Sequence, residues 1–482
     1  MRLYTEKQYQ VGIRAAVQAA EAQIQARIEA AVAAAVAPLQ ARIAELEQEI
    51  ARLKKNSSNS SKPPSSDIVK PRKKTVKRKK GKRRKGGQKG HPRHERTAFT
   101  EEELDYQVTY EMEGLDPKEW EALDEWDVVQ QIELQESPVE ITEHRARRYR
   151  NRRTGELLST GLPGEITAAG LIGPRLSAYI AFLKGACHMS YTNIQTLLAD
   201  VYGVEVSTGQ LAKITTRKVS AALAAPYDEL RAALPAEGNL GIDETGHKDD
   251  GQQHWTWCFR AHAFILFHIA QSRGSKVLEQ MLGKAFDGVI NCDYFSAYRK
   301  FMKDSSAIMQ FCLAHLIRDV KFLAEQNDKV TRNWANRMLQ DFDALFSLIH
   351  RREELTDRYF QNTLEKLRDK LIARFKSAPD RPGVRDLRNR FKLHAKQFFT
   401  FVTTPGIEPT NNFTEQAIRY IVIDRKVTQG TRGDRGQRWC ERIWTVLSTC
   451  AVQQRSAFDF LCDAVQAFSR GQAAPSLLPR AP

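Results

Sequence analysis

A dense block of basic residues near the N-terminus is the feature that most constrains how this chain can fold. Thirteen of the twenty residues from Lys70 to Lys89 are Lys or Arg, and the Ser/Pro-rich stretch NSSNSSKPPSSD precedes them at positions 56–67. Like charges at this density repel one another, and the Ser/Pro stretch has too little apolar surface to fold alone. The sequence therefore predicts a disordered arm over residues 56–99.

The positive charge of the protein is confined to this arm. Nineteen Lys/Arg and two acids lie between Arg52 and Arg96, whereas the whole chain of 482 residues carries +16, so the rest is nearly neutral. Such an arm fits a polyanion, because it neutralises phosphates and releases counterions. Without interleaved aromatic residues it is expected to contact a nucleic-acid backbone without reading sequence; a solvated tail or a localisation tag is the alternative. The predicted contacts are Lys73, Lys74, Lys77, Arg78, Lys79, Lys80, Arg83 and Arg84.

Composition excludes several classes of protein. Hydrophobic residues make up 41% of the chain, which is enough for a packed core. The most apolar stretch, Ala168 to Cys187, is interrupted by Arg175 and Lys184, so no membrane span is expected, and the N-terminus lacks the apolar region of a signal peptide. The seven cysteines begin at Cys187 without a regular framework, which favours reduced thiols and a cytoplasmic protein.

Residues 1–55 are predicted to form a helix with coiled-coil character. Ala, Glu, Gln and Arg dominate the segment, and apolar residues recur at heptad-like spacing from Leu39 to Leu53. This is about two heptads, fewer than a firm coiled-coil assignment needs. Self-association through this helix is the prediction, and packing on its own domain is the alternative.

Two further segments precede the region with chemistry. Residues 100–165 suggest a small α+β module, with acidic helical material followed by alternating stretches at 128–134 and 139–149. Residues 166–234 are predicted to be helical. Within them a helix, a turn at Gly203, a cap at Ser207 and a second helix are compatible with a DNA-reading helix-turn-helix or with a plain helical hairpin.

The texture of the sequence changes to β after Pro235. Strand patterns occur at 239–245, 254–260, 263–270, 288–293 and 307–315, with a helix at 276–282 between the third and fourth. Three neighbouring strands, a crossover helix and further strands predict an α/β fold, a ribonuclease-H-like mixed sheet. We assign its core to residues 235–312 and 401–430, with a helical insertion at 313–400 and C-terminal helices at 431–482.

Three acids stand at positions suited to chemistry. Asp243 lies within an apolar strand, Asp293 ends another, and Glu415 opens a helix after the cap residues Thr410 to Asn412. A buried carboxylate needs a cation partner, and hard divalent cations such as Mg²⁺ take oxygen ligands while holding phosphate. The alternatives are that one aspartate caps a helix, and that Glu415 pairs with Arg419 one turn later.

Other residues near these acids have weaker signals. Cys312 and His315 form a C-x-x-H pair, and two ligands do not make a zinc site. We expect Cys312, His315, Asn411 and Asn412 to support the carboxylates from behind. Glu244 is expected on the opposite face of its strand, ion-paired or structural. After Glu415, the basic residues Arg419, Arg425 and Lys426 are predicted to contact DNA phosphate, with charge balance of the helix as the alternative.

Taken in order, five motifs resemble one family. They are SSNSSKPPSSD with GGQKGH, the IDET strand, CDYFSAY, the C-L-A-H of Cys312 to His315, and PTNNFTEQAIR followed by RK at 425–426. Together they are similar to bacterial transposases of the insertion sequence sixty-six family (TnpC type), over residues 39 to 470. The resemblance implies a DDE triad at Asp243, Asp293 and Glu415 and a ribonuclease-H-like fold with a helical insertion.

The resemblance also implies cofactors and partners. It implies two Mg²⁺ (or Mn²⁺) ions, double-stranded DNA at element ends and target, companion proteins of the same element, and a place with the nucleoid in the cytoplasm. Family members commonly carry a zinc-binding module with C-x-x-C pairs. This chain has Asn151 and Thr154 where thiolates would be expected, so no structural zinc is expected.

The sequence thus predicts a transposase that cleaves and joins DNA strands. A non-catalytic DNA-binding regulator or domesticated relative is the first alternative, which loss of a triad acid would favour. A metal-dependent nuclease without joining activity is the second alternative, and the sequence does not separate it from the prediction.

Overall fold

The computed structural model describes residues 6–54, 98–110, 128–135 and 138–479. The described chain divides into two compact units. The larger unit contains residues 6–54, 172–189 and 213–479, and the smaller unit contains 98–110, 128–135, 138–171 and 190–212. The basic residues predicted to bind DNA, Lys73 to Arg84, lie outside the described residues. The finer division into segments predicted from the sequence remains a prediction.

Strands and helices follow one another along the chain with few long loops. The strands are β1 Arg148–Arg150, β2 Leu157–Ser159, β3 Asn239–Asp249, β4 Gln252–Arg260, β5 Ile265–Ala270, β6 Val289–Cys292 and β7 Ile308–Phe311. The first helices are α1 Glu6–Lys54, α2 Gly164–Ala169, α3 Pro174–Gly185, α4 Tyr191–Tyr202, α5 Thr208–Lys213, α6 Ser220–Ala222, α7 Ala224–Ala233, α8 Ser275–Leu282 and α9 Ser296–Asp304. The remaining helices are α10 Leu313–Ala324, α11 Lys329–His350, α12 Asp357–Lys376, α13 Val384–Phe398, α14 Thr400–Thr403, α15 Asn412–Thr428, α16 Asp434–Val452 and α17 Ala457–Ser469.

Helix α1 confirms the predicted N-terminal helix. It runs for 49 residues and continues through Pro38, and the many Ala, Glu, Gln and Arg residues favour this length. Its apolar side chains, from Ile24 at 57% exposed to Ile50 at 49% exposed, face solvent. An exposed apolar stripe of this kind is what a self-associating helix presents, although the association itself stays a prediction.

The smaller unit contains a short hairpin where two longer strands were predicted. The chain from 128 to 134 forms no strand, and of the stretch 139–149 only Arg148 and Tyr149 enter β1. These two predictions are wrong in extent. Alternation alone does not make a strand without a neighbour to pair with, and the apolar side chains remain exposed, Val129 at 91% and Ile141 at 92%.

The turn of this hairpin is closed by side-chain oxygens at the positions expected to hold thiolates. The Oδ1 atom of Asn151 accepts hydrogen bonds from the N–H groups of Arg153 at 2.9 Å and Thr154 at 3.1 Å. The Oγ1 atom of Thr154 accepts from the N–H of Glu156 at 3.3 Å. Asparagine forms such Asx-turns readily, so the turn is held by side-chain-to-backbone hydrogen bonds.

The local structure predicted around Gly203 is confirmed. Helix α4 is capped by Ser190, whose Oγ accepts from the N–H of Asn193 at 3.0 Å, and it ends at Gly203 in the left-handed conformation with φ 62°. The Oγ of Ser207 accepts from the N–H of Gln210 at 3.2 Å at the start of α5. Whether this pair of helices reads DNA stays a prediction.

The larger unit is built on a five-stranded mixed sheet, as predicted. Its strand order is β5-β4-β3-β6-β7; the first three strands pair antiparallel, and β3, β6 and β7 pair parallel. Helices α8 and α9 connect the strands on either side of β6, and α10 to α14 form the helical stretch predicted for residues 313–400. The protein is therefore of the mixed α/β class, with an additional N-terminal helix.

Helix α16 covers the edge of the sheet at β5. The Oγ1 atoms of Thr449 and Thr445 accept from the N–H groups of Ile265 at 3.1 Å and Phe267 at 3.0 Å, and Oε1 of Glu441 accepts from Ile269 at 2.7 Å. These side chains recur every four residues, so one face of the helix satisfies the backbone donors of an edge strand, which would otherwise remain unpaired.

Among the described residues, the helices are either too short or too polar to be candidates for crossing a bilayer.

Candidate carboxylate site on the mixed sheet

Asp243 lies on the face of β3 that helix α15 covers. The buried Leu240, Ile242 and Glu244 alternate with Gly241, Asp243 and Thr245 along the strand. A Cβ atom at Gly241 would lie 2.1 Å from Oγ1 of Thr414, and Arg425 donates to Oγ1 of Thr245 at 3.2 Å. Asp243 therefore lies between two positions that α15 contacts, and Gly241 allows the helix to approach this closely.

Asp293 is level with Asp243 on the neighbouring parallel strand. The register pairs Asn239 with Val289 and Gly241 with Asn291, so two residues further along each strand the aspartates stand side by side. The side chain of Asn291 donates to the carbonyl groups of Glu408 at 2.8 Å and Thr410 at 3.1 Å, just before α15. Since side chains two apart share a face, Asp293 is on the face covered by α15.

Glu415 enters the site on the first turn of α15, whose start is fixed to the sheet. The backbone N–H of Leu313 donates to the carbonyl of Pro409 at 2.9 Å. The buried side chain of Asn411 donates to the carbonyl of Ile242 at 2.9 Å, and its backbone N–H donates to Sγ of Cys312 at 3.2 Å. These bonds place the helix start beside the residue that precedes Asp243.

Residues of α10 contact the carboxylate of Glu415. Oε1 lies 3.7 Å from Nε2 of His315, and Oε2 accepts from Arg318 at 3.4 Å. In the described part of the chain these are the ion pairs of Glu415, so the alternative pairing with Arg419 is wrong. Sequence analysis missed Arg318, although its spacing of three residues from His315 already placed the two on one helix face.

The acids perturb one another electrostatically. Burial is the largest cause that raises the pKa of Asp243 well above its usual range, and the negative charges of Glu244 and Asp293 add to it. Burial likewise raises the pKa of Asp293 to about 7, followed by the charge of Glu244, while the hydrogen bond from the N–H of Phe295 opposes the rise. The charge of Glu415 contributes to both shifts. The carboxylates therefore repel, and a bound cation would relieve that repulsion.

Glu244 faces away from these acids, as predicted, and is ion-paired. Its Oε1 accepts from Nε of Arg273 at 2.7 Å, and its Oε2 accepts from the hydroxyl of Tyr298. The guanidinium of Arg273 lies over the ring of Phe295, 3.9 Å from the centroid. This arrangement neutralises Glu244 within the protein.

The other predicted site residues divide into two groups. Asn411 and Cys312 are buried against the helix start and His315 is beside Glu415, as described above, whereas Asn412 is exposed at the first position of α15. Among the predicted DNA contacts, Arg419 and Lys426 are exposed, and Arg425 is half-buried against Thr245.

The donor set of the three acids suits a hard divalent cation. Asp243, Asp293 and Glu415 offer carboxylate oxygens, which Mg²⁺ and Mn²⁺ prefer over nitrogen and sulfur. Oε1 of Glu415 is buried and has no hydrogen-bond partner. This unsatisfied oxygen and the raised pKa values of the two aspartates are the features expected of ligands whose cation is missing.

Comparison with known proteins assigns the class of protein to which this fold and site belong. A family model described as "Transposase IS66 family" matches residues 169–438, which is more than half of the chain, so the protein is a transposase. It belongs to the IS66 family, as the sequence motifs predicted. A second model, described as a family of unknown function (DUF6444), matches residues 13–97. No curated protein matches the chain.

Proposed function

We propose that this protein is a DDE transposase that cleaves and joins DNA strands at the ends of an insertion sequence, with Asp243, Asp293 and Glu415 as its catalytic acids. The observation that supports this most is the register of β3 and β6, which sets the two aspartates level on adjacent parallel strands. Helix α15 carries the glutamate over the same face. Acids contributed by three separate elements to one face of a sheet are typical of a phosphoryl-transfer site.

The proposed fold of the catalytic core is ribonuclease-H-like. Its support is the sheet order, in which a three-stranded antiparallel meander, β3 to β5, is extended on the other side of β3 by two parallel strands. The helices α10 to α14 separate the second aspartate from the glutamate in the chain, in the position of a helical insertion.

The acids would hold two divalent cations, Mg²⁺ or Mn²⁺. When bound, such ions activate an attacking hydroxyl and neutralise the leaving oxygen of a phosphodiester. The chain contributes positioning: Asp243 and Asp293 are fixed by their strands, and Glu415 is oriented by His315 and Arg318. A water molecule would attack first at the element end, and the freed 3′-hydroxyl would then attack target DNA. Since phosphoryl transfer demands little covalent chemistry from protein groups, positioning and charge carry the catalysis.

Partners follow from the same proposal. The basic arm, including Lys73 to Arg84, would hold double-stranded DNA through its phosphates, and the exposed Arg419 and Lys426 would contact DNA next to the acids. Helix α1 would join two copies, because two element ends have to meet in one complex. Companion proteins of the same element and a nucleoid location in the cytoplasm belong to this proposal.

Substitution of the acids tests the catalytic proposal. Asp243→Asn, Asp293→Asn and Glu415→Ala should each abolish strand cleavage in a magnesium-containing assay while DNA affinity, measured by fluorescence anisotropy, stays within about twofold, because the phosphate contacts remain. Glu279→Gln, an exposed acid on α8, is the matched control and should stay active. An active Glu415→Ala protein would refute the triad and favour a different metal site.

The same assay separates the alternatives. Cleavage without joining of the 3′-hydroxyl to target DNA would identify a nuclease, and binding without cleavage in the wild-type protein would identify a regulator.

The arm and the helix are tested by deletion. Removing residues 70–89 should weaken DNA binding and flatten its dependence on salt, because fewer phosphate contacts release fewer counterions; an unchanged slope would remove the arm from the interface. Removing residues 1–53 should lower the mass measured by light scattering, and an unchanged mass would exclude α1 as the contact between copies.

A further inference from the structure

A second set of metal-ligating atoms adjoins the carboxylate site. The Sγ atom of Cys312, a ring nitrogen of His315 and a carboxylate oxygen of Glu415 all lie within 4.8 Å of one another. The C-x-x-H pair alone has too few ligands for a metal, but folding brings Glu415 from α15 to the same point. The cluster thus contains one sulfur, one nitrogen and one oxygen donor.

The positions of these donors follow from the start of α10. Cys312 is the N-cap residue of the helix and is 1% exposed, and His315 follows three residues later on the same side. The Sγ atom accepts a hydrogen bond from the N–H of Asn411 at 3.2 Å. The N–H groups of His315 and Ala314 also favour the thiolate, as they do around metal-bound sulfur, although burial is the larger influence and raises the pKa of Cys312 to about 11.

Two polar atoms of the cluster have no hydrogen-bond partner. Nδ1 of His315 and Oε1 of Glu415 are buried without one, and buried polar atoms are rarely left so. The separation between Nε2 of His315 and Oε1 of Glu415 is 3.7 Å. Ligands bound at about 2.0–2.3 Å in a tetrahedron are about 3.4–3.6 Å apart, so this pair already stands near coordinating distance.

We propose that Cys312, His315 and Glu415 form a binding site for a borderline-soft divalent cation, Zn²⁺, separate in chemistry from the oxygen site and sharing Glu415 with it. Zinc binds thiolate, imidazole and carboxylate in tetrahedral sites, and a water molecule would complete the four ligands. Binding displaces the proton of the Cys312 thiol to solvent, as is usual for coordinated cysteine. Mg²⁺, by contrast, has little affinity for sulfur.

The site would regulate the enzyme through the shared glutamate. A Glu415 oxygen drawn toward Cys312 and His315 is withdrawn from Asp243 and Asp293, so zinc and the catalytic ions compete. This consequence rests on the proposed function, whereas the existence of the zinc site does not.

Cobalt substitution tests the site without any need for catalysis. The full-length, reduced, metal-free protein is titrated with Co²⁺, which reports a thiolate ligand by a sulfur-to-cobalt charge-transfer band in the near ultraviolet. The wild-type protein should show this band at one equivalent, and added Zn²⁺ should remove it. Cys312→Ser should lack the band, while Cys187→Ser, the matched control at an exposed free cysteine, should keep it. Absence of the band from the wild type, or its presence in Cys312→Ser, would overturn the proposal.

A second variant guards against misfolding of Cys312→Ser, which circular dichroism would detect. His315→Gln should keep the sulfur band and bind Co²⁺ at least about tenfold more weakly, because one ligand is lost. Unchanged affinity in His315→Gln would overturn the proposal as well.

The competition is then measured in the cleavage assay. Micromolar Zn²⁺ should inhibit magnesium-dependent cleavage by the wild-type protein, and excess Mg²⁺ should restore it. A cobalt band without zinc inhibition would retain the site and refute the sharing of Glu415. Failure of the triad substitutions to affect cleavage would refute the proposed function and leave the cobalt result standing.

Discussion

Two groups of buried carboxylates on the same sheet are treated in opposite ways by the rest of the protein. Glu441 on α16 is fully buried, yet it accepts hydrogen bonds from the N–H of Ile269 at 2.7 Å and from Arg438 at 2.6 Å, and Nδ1 of His268 lies 3.0 Å away. Asp243 accepts a hydrogen bond from the N–H of Glu244, its neighbour in the chain, and the charges that contribute to its pKa shift are all negative.

The contrast separates structural acids from acids that await a partner. Burying a charge is tolerated where cations and N–H donors compensate it, as around Glu441. Where the surrounding charges are like rather than opposite, compensation has to come from outside the chain. Asp243 and Asp293 fit the second description, which is why they are the stronger candidates for metal binding.

Removing Glu441 is the largest expected disturbance of stability. Glu441→Ala should lower the free energy of unfolding by about 3–5 kcal/mol, because it breaks a buried ion pair and leaves the N–H of Ile269 without its acceptor. Urea denaturation followed by circular dichroism measures this loss.

The control for Glu441→Ala is an exposed ion pair. Glu354→Ala breaks the contact with Arg351, whose side chains are 63% and 61% exposed, and should change stability by less than about 1 kcal/mol. A loss from Glu441→Ala as small as that of the control would mean that Thr445 and Thr449 hold the edge of β5 without the acid.

Much of the sheet and all three acids could be predicted from the sequence, because strand patterns are local. The apolar alternation around Asp243 and the buried pattern before Asp293 specify strands whatever they later pair with. Their register does not follow from pattern, and neither does the close approach of Thr414 to Gly241. The contact of Arg318 with Glu415 was missed because it depends on how α10 and α15 meet. The stretch 128–134 was mispredicted because alternation does not reveal whether a partner strand exists.

A pH dependence sharpens the comparison through a second titratable residue on β3. Burial, followed by the charge of Arg425, lowers the pKa of His247 to about 4, while Asp249 opposes the shift. A histidine with a lowered pKa in the folded state stabilises the fold above about pH 6.5 and loses this contribution as the pH falls toward 4. The loss in the wild-type protein should reach about 3 kcal/mol over that window.

Thermal or urea denaturation across pH 4 to 7 checks the contribution of His247. The difference in stability between the wild type and His247→Gln should shrink as the pH falls, since the variant lacks the titrating group. The exposed His350→Gln is the matched control and should run parallel to the wild type. A constant difference for His247→Gln would show that its hydrogen bond to Thr431, at 2.9 Å, matters and its protonation does not.

The smallest expected effect on stability, with the opposite sign, comes from the carboxylate site itself. Asp243→Asn removes one of several repelling charges, so the metal-free protein should gain about 1 kcal/mol of unfolding free energy at pH 7.5, as often happens when a functional site is neutralised. The wild-type protein should be stabilised by added Mg²⁺, because a ligand that binds only the folded state raises its stability, and the variant should not be. Differential scanning fluorimetry with and without 10 equivalents or more of Mg²⁺ measures both quantities, and Glu279→Gln serves as the control for removal of an acid elsewhere. An Asp243→Asn protein that is destabilised, or that responds to Mg²⁺ like the wild type, would mean that Asp243 is compensated within the protein as Glu441 is, and the distinction between the two groups of acids would be lost.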